Sequence, residues 1–251
     1  MNLPNPKDIL HRGQMYKLLI EIADSTLLSQ DLIFKGGTCA AMQGCLDRFS
    51  VDLDFDLVLN ASRNLIKKEL EQVFSDLGLE IRSQSSATVQ YVLKYSSSKG
   101  LRNTLQFDAV DFSLLENIVQ PVFLADIDRY FNCQTIETMF SHTLVAVLDR
   151  YNKHKTVAGR DMYDMYYFFI NGYRYNSDII EKRTNLTTKQ YLKNLAEFVE
   201  EKVTQTIINE DLNPLLSPER FRTVRKSLKI EVLAMLKSEI KRLQGGQVSG
   251  F

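Results

Sequence analysis

Between Val51 and Leu57 three aspartates, Asp52, Asp54 and Asp56, alternate with three large apolar residues, Leu53, Phe55 and Leu57. A period of two belongs to an extended chain, so the segment reads as a half-buried strand with an apolar inner face and an acidic outer face. The fold must therefore hold three like charges in a row on one sheet face, about 7 Å from one to the next. Carboxylates so close repel, and something has to compensate them. A divalent cation does so readily, because Mg²⁺ takes one or two carboxylates with phosphate oxygens and keeps several waters. The plain alternative is the solvated face of an edge strand, and the sequence upstream weighs against it.

There, Leu32-Ile33-Phe34 reads as a short strand ending at Gly36-Gly37-Thr38, and Cys39 to Leu46 as a helix opened by Thr38. Such a junction provides free backbone N–H groups and a hydroxyl where helix N-termini bind phosphate. Gly-Gly-Thr alone is a turn. A phosphate cradle followed by a metal-binding carboxylate pair is what nucleotidyl transfer from a triphosphate requires, since catalysis there is mostly positioning and charge neutralisation.

The rest of the chain sets these pieces in a mixed α+β context. Met15, Leu18, Leu19 and Ile22 recur at helical spacing and predict an opening helix to about Ser25. Residues 60–77 read as a helix stopped by Gly78, and 79–82, 88–95 and 104–112 as strands. Beyond Pro121 the patterns turn helical, over 135–150 and 160–171. Thr187 with Gln190 forms a capping box for a further helix, and Ser217-Pro218 starts a last one toward Leu243. This predicts a catalytic core over 1–132, an all-helical part over 133–251, and a frayed tail from Gly245.

With 31 basic and 31 acidic residues the net charge is zero, so any nucleic-acid surface must come from uneven distribution. From Ser217 to Leu243 eight basic residues face three acidic ones, and Arg222, Arg225, Lys226 and Lys229 fall at spacings of three and four, sharing one helix face that could follow a phosphate backbone. A solvated helix face is the competing reading. Cys39, Cys45 and Cys133 are too few for a disulfide framework and point to a reducing cytoplasm. We read neither a signal peptide nor a membrane segment. His11, His142 and His154 show no zinc-like spacing and read as ordinary polar residues.

Phe34-Lys35-Gly36-Gly37-Thr38, then Arg48-Phe49-Ser50-Val51-Asp52-Leu53-Asp54-Phe55, then Arg160-Asp161-Met162-Tyr163-Asp164, resemble the AbiEii/AbiGii toxin family of nucleotidyltransferases, over roughly residues 30–170. The resemblance implies a fold like that of DNA polymerase β followed by helices, with Mg²⁺ or Mn²⁺ and a nucleoside triphosphate as cosubstrates. It further implies the toxin of a bacterial toxin–antitoxin or phage-defence pair, with a cognate antitoxin as partner and RNA, especially a tRNA end, as acceptor. Carried over by position, Lys35, Gly36, Gly37 and Thr38 hold the triphosphate, Arg48 and Ser50 support that loop, and Asp52 and Asp54 bind metal. Asp108 is the candidate third carboxylate that activates the attacking hydroxyl, or else a surface aspartate. Arg160 and Asp161 contact the nucleotide or orient a basic residue, or else form a structural cap with an ion pair. Thr143 departs from the pattern, since family members carry a lysine there. The cation's task then passes to Lys153, Lys155 or Arg160, or activity is lowered. A small-molecule or protein acceptor, and a catalytically silent member that binds nucleotide or a partner, are the other readings.

Overall fold

The computed structural model describes residues 5–111 and 114–245, in two compact units divided after Thr135. Phe112, the expected end of one strand, and residues 246–251 of the tail lie outside the described residues.

In the first unit, α1 (Ile9–Asp24) and α2 (Thr26–Asp31) lead into β1 (Leu32–Lys35), α3 (Gly36–Met42) and β2 (Asp52–Leu57). Then come α4 (Arg63–Asp76), β3 (Glu80–Gln84), β4 (Val89–Lys94), β5 (Thr104–Asp111), β6 (Val119–Leu124) and β7 (Arg129–Gln134). The seven strands form one mixed sheet in the order β3-β4-β5-β2-β1-β7-β6. The acidic strand β2 lies near its middle, antiparallel to β1 and parallel to β5. It is not an edge strand, so the solvated-edge reading of the three aspartates is excluded.

Strands β6 and β7 correct the expectation that sheet structure ends near Pro121. Proline has no N–H to give a ladder, and it is tolerated here because β6 is the outermost strand, with a partner on one side. β7 returns to the sheet interior, parallel to β1 with Cys133 opposite Phe34.

Under the acidic face the alternate residues build the core. Phe34 stacks on Phe55 and Phe55 on Phe107, with ring centroids 5.1 Å apart in both pairs, and Phe74 of α4 meets Phe107 and Tyr91 edge-on. All five rings are buried. Each removes an apolar side chain from water at about 1.5–3 kcal/mol, with up to ~1 kcal/mol more per ring pair, so the strand bearing the aspartates is fixed from below.

The same strand is tied at its entrance by a residue that reads as ordinary in the sequence. His11 of α1 is buried, with Nε2 2.8 Å from the Val51 carbonyl and Nδ1 2.6 Å from the Tyr95 hydroxyl. A carbonyl only accepts, so Nε2–H donates to Val51 and Nδ1 accepts from Tyr95, which fixes the neutral tautomer. Burial lowers its pKa to about 4 against the carbonyl's opposing pull, and Arg102 lowers it further. Between pH 6.5 and 4 the unfolded chain therefore binds more protons than the folded one. Stability is full above about pH 6.5 and falls as pH drops toward 4, by about 3 kcal/mol in total from this one group. In urea titrations the wild type should lose about 2 kcal/mol more than His11→Gln between pH 7 and 4.5. Parallel losses would refute a neutral buried imidazole.

Among its described residues the second unit consists of helices and their connections: α5 (Ile136–His154), α6 (Gly159–Ile170), α7 (Ser177–Thr184), α8 (Thr188–Lys202), α9 (Gln205–Leu212), α10 (Pro218–Val224) and α11 (Leu228–Gly245). Phe140, Leu144, Met162, Tyr163, Phe168, Leu192, Leu195 and Leu236 form its core. Thr187 caps α8 by accepting from the Gln190 amide. The reciprocal half of the expected capping box is absent among the described contacts, because the Gln190 side chain bonds Asn194.

The expected last helix is two helices with a turn at 225–227. At the turn the Arg225 carbonyl accepts from the Gln205 side chain at 2.8 Å, tying this point of the chain to α9. The single basic face drawn from the sequence does not form. Arg222 ends α10, Arg225 and Lys226 lie in the turn, and Lys229 starts the next helix. Lys229 Nζ is taken up by the carbonyls of Glu200 and Val203, both at 2.8 Å, closing the C-terminus of α8. Arg225 folds over the Phe221 ring, with Cζ 5.4 Å from its centroid.

Candidate active site

The carboxylates are placed by strand register. Asp54 of β2 lies opposite Asp108 of β5, and on its other side opposite Lys35 of β1. Register partners point to the same sheet face and sit roughly 4.8 Å apart across the ladder, so Lys35, Asp54 and Asp108 form one transverse row. Asp52 stands one pleat along β2, opposite Gln106. Asp52, Asp54 and Asp108 are half-buried.

Asp108 is held to Gln106, whose Nε2 donates to its Oδ2 at 2.8 Å. Its carboxyl nevertheless titrates above the usual range, because burial and the negative charge of Asp52 outweigh Gln106 and Lys35. A raised carboxylate pKa also makes a better proton acceptor near neutrality.

Asp56, two residues further along, is resolved differently. It is 3% exposed, with Oδ1 2.5 Å from Lys35 Nζ and Oδ2 2.7 Å from Gln134 Nε2. The row expected to be one acidic face is therefore two sites: a half-open cluster at Asp52, Asp54 and Asp108, and a closed ion pair at Asp56. Lys35, expected on the triphosphate, spends its ammonium on that pair.

The glycine turn is built around the cluster. Gly36 has φ +76°, the left-handed region that favours glycine, and a Cβ there would stand 2.7 Å from Asp54 Oδ2. At Gly37 a Cβ would meet Arg48 Nη2 at 2.6 Å and Ser50 Oγ at 3.1 Å. Both glycines thus let the backbone close directly onto side chains of the site. Arg48 and Ser50 are buried, Arg48 donating to the Phe49 carbonyl at 3.0 Å, and they brace the turn from behind. Thr38 corrects an expectation: its side chain is fully buried and its hydroxyl donates to the Asp52 carbonyl at 2.5 Å. With that proton committed and no access to solvent, the hydroxyl ties the loop to β2, which leaves backbone N–H groups as what this turn can offer a phosphate.

A magnesium site can be tested against this donor set. Among the described residues no three His, Cys, Asp or Glu side chains converge into a closed metal cluster. Mg²⁺ bound with a nucleotide needs less, one or two carboxylates with the remainder supplied by phosphate and water. Asp52 and Asp54, half-open on one face, fit that requirement.

In the helical unit, Arg160 and Asp161 lie in the first turn of α6. The Gly159 amide donates to Asp211 Oδ2 at 2.7 Å, and a Cβ there would meet the Ile207 carbonyl at 2.8 Å, so α6 starts tight against α9. Asp161 is buried and accepts from Arg150 Nε at 3.2 Å; burial raises its pKa despite Arg150. Its ion-pair partner is Arg150, which no sequence spacing singled out. Thr143 bonds the Met139 carbonyl of its own helix at 2.9 Å. Lys155 sits over the Tyr151 ring, 5.2 Å from its centroid. No described helix is long and apolar enough to cross a membrane.

No curated protein matches the chain. Two solved structures share its fold over nearly its whole length: JHP933 from Helicobacter pylori, at TM-score 0.63 and 18% identity over 98% of this chain and 97% of that one, and a candidate nucleotidyltransferase from H. pylori, at TM-score 0.62 and 18% identity over 96% and 98%. Residues 17–236 match the family described as nucleotidyl transferase AbiEii toxin, type IV toxin–antitoxin system. With the match spanning both the carboxylate cluster and most of the helical unit, the chain belongs to the AbiEii family of nucleotidyltransferase toxins.

Proposed function

We propose that the protein moves a nucleoside monophosphate from a triphosphate to a hydroxyl at an RNA end, with tRNA the leading acceptor, and that a cognate antitoxin restrains it. The observation that carries this reading is the register that sets Asp54 beside Asp108 under the Gly36-Gly37 turn. Asp52 and Asp54 hold Mg²⁺ or Mn²⁺, which supplies charge neutralisation at the phosphates. Gly36 and Gly37, lacking side chains, let the turn close onto the site, so that its backbone N–H groups serve the triphosphate beside these carboxylates. Asp108 takes the proton from the attacking hydroxyl; a new O–P bond forms at the α-phosphorus, the α–β anhydride bond breaks, and pyrophosphate leaves. Within the helical unit Asp161 holds Arg150 beside the start of α6.

The test is incubation of purified protein with each α-labelled triphosphate, total RNA, and either MgCl₂ or EDTA. Label should enter RNA with magnesium and not with EDTA. Label on protein alone would replace the acceptor, and triphosphate binding with no transfer would favour a silent binder, the reading to which Thr143 lends support.

A further inference from the structure

The helical unit, residues 136–251, carries 18 of the 31 basic residues against 14 of the 31 acidic ones, so it is the cationic part of a neutral chain. Lys229 and Arg225 are engaged elsewhere, by the Glu200 and Val203 carbonyls and the Phe221 ring. A cleft of about 620 Å³ opens between the N-terminal turns of α7 and α8 and the end of α11, lined by Glu181, Thr187, Lys189, Gln190, Lys193 and Arg242. Two of its charges are already committed. Glu181 Oε1 accepts from both the amide and the hydroxyl of Thr188 at 2.9 Å, and Arg242 pairs with Glu239 at 2.8 Å. Lys189 and Lys193, one helical turn apart on the same side of α8, have neither an ion pair nor a hydrogen bond among the described residues.

The lining also limits the occupant. Leu243 is the one apolar side chain on the described wall, and no aromatic ring faces the cleft. A pocket for a free nucleotide offers its base an apolar or stacking surface, and a protein-docking site has an apolar centre. This cleft has neither; its wall is polar, and the charges on it without a described ion pair or hydrogen bond are the Lys189 and Lys193 ammonium groups. We propose that Lys189 and Lys193 grip the sugar–phosphate backbone of the acceptor RNA without reading its sequence. The proposal rests on the RNA-acceptor reading above.

The full-length double variant Lys189→Gln/Lys193→Gln is titrated beside wild type with a short labelled single-stranded RNA across a salt series, following anisotropy. Losing two phosphate contacts should flatten the log–log salt dependence by about 1.4 and weaken binding roughly twentyfold at about 0.1 M salt. Triphosphate affinity and thermal melting should be unchanged. Wild-type RNA that still binds and is labelled equally by the variant would overturn the cleft and leave the acceptor reading standing. Wild type that neither binds nor labels RNA would overturn both. Polyglutamate competing as well as unlabelled RNA would also overturn it, marking the cleft as a surface for an acidic protein.

Discussion

Asp54→Ala is expected to lower nucleotidyl transfer by about 10³-fold or more while the melting temperature stays within a few degrees of wild type. A metal-bound carboxylate supports several kcal/mol of charge stabilisation during phosphoryl chemistry, and each 1.4 kcal/mol is a factor of ten in rate. The fold should survive because Asp54 is half-open, lies outside the Asp56 ion pair, and rises from a strand fixed from below by Phe55. Replacing it with alanine also opens space beneath Gly36. Transfer at wild-type rate would remove Asp54 from the site, and loss of the folded state would make its role structural.

The opposite pattern is expected two residues away. Asp56→Ala leaves the Lys35 ammonium and the Gln134 amide without their carboxylate, and breaking a buried pair from one side costs about 3–5 kcal/mol. Lys35 keeps partial access to water, with 24% of its side chain exposed, so a loss near 3 kcal/mol is the expected figure. Asp56→Leu combined with Lys35→Met should recover much of it, because an apolar pair leaves no stranded charge. Urea unfolding of the two singles and the double completes the cycle. Additive losses would show that Lys35 and Asp56 do not act as a pair. Recovery in the double variant would separate two aspartates on one face of one strand by function, Asp54 by rate and Asp56 by stability.

That separation could not be drawn from the sequence, although the strand could. Alternation from Val51 to Leu57 is local, and so were the glycine turn and the first helix. The partners of Asp56 are 21 and 78 residues distant, and no periodicity reports on them. The tie made by Thr38 was hidden for a similar reason, since a threonine opening a helix after two glycines does not show that its hydroxyl bonds the Asp52 carbonyl. β6 was missed because Pro121 signals a stop in any strand except one at a sheet edge. The break at 225–227 carries neither glycine nor proline, and what marks it is a side chain of α9. The register of Asp54 with Asp108 is the tertiary fact that turns a compatible face into a placed cluster.

The return of β7 to the middle of the sheet bears on when during synthesis the toxin becomes competent. Every carboxylate of the cluster has been translated once β5 is made, yet the ladder beside β1 stays open until Cys133 comes to lie opposite Phe34. Until then Asp56 also waits for Gln134. Pairing across about 100 residues is slow and entropically costly, and domains form as units while the ribosome is still at work. A growing chain that stops short of Arg129 thus carries its clustered acids on an unfinished sheet, and the site can be completed only after most of the first unit has emerged.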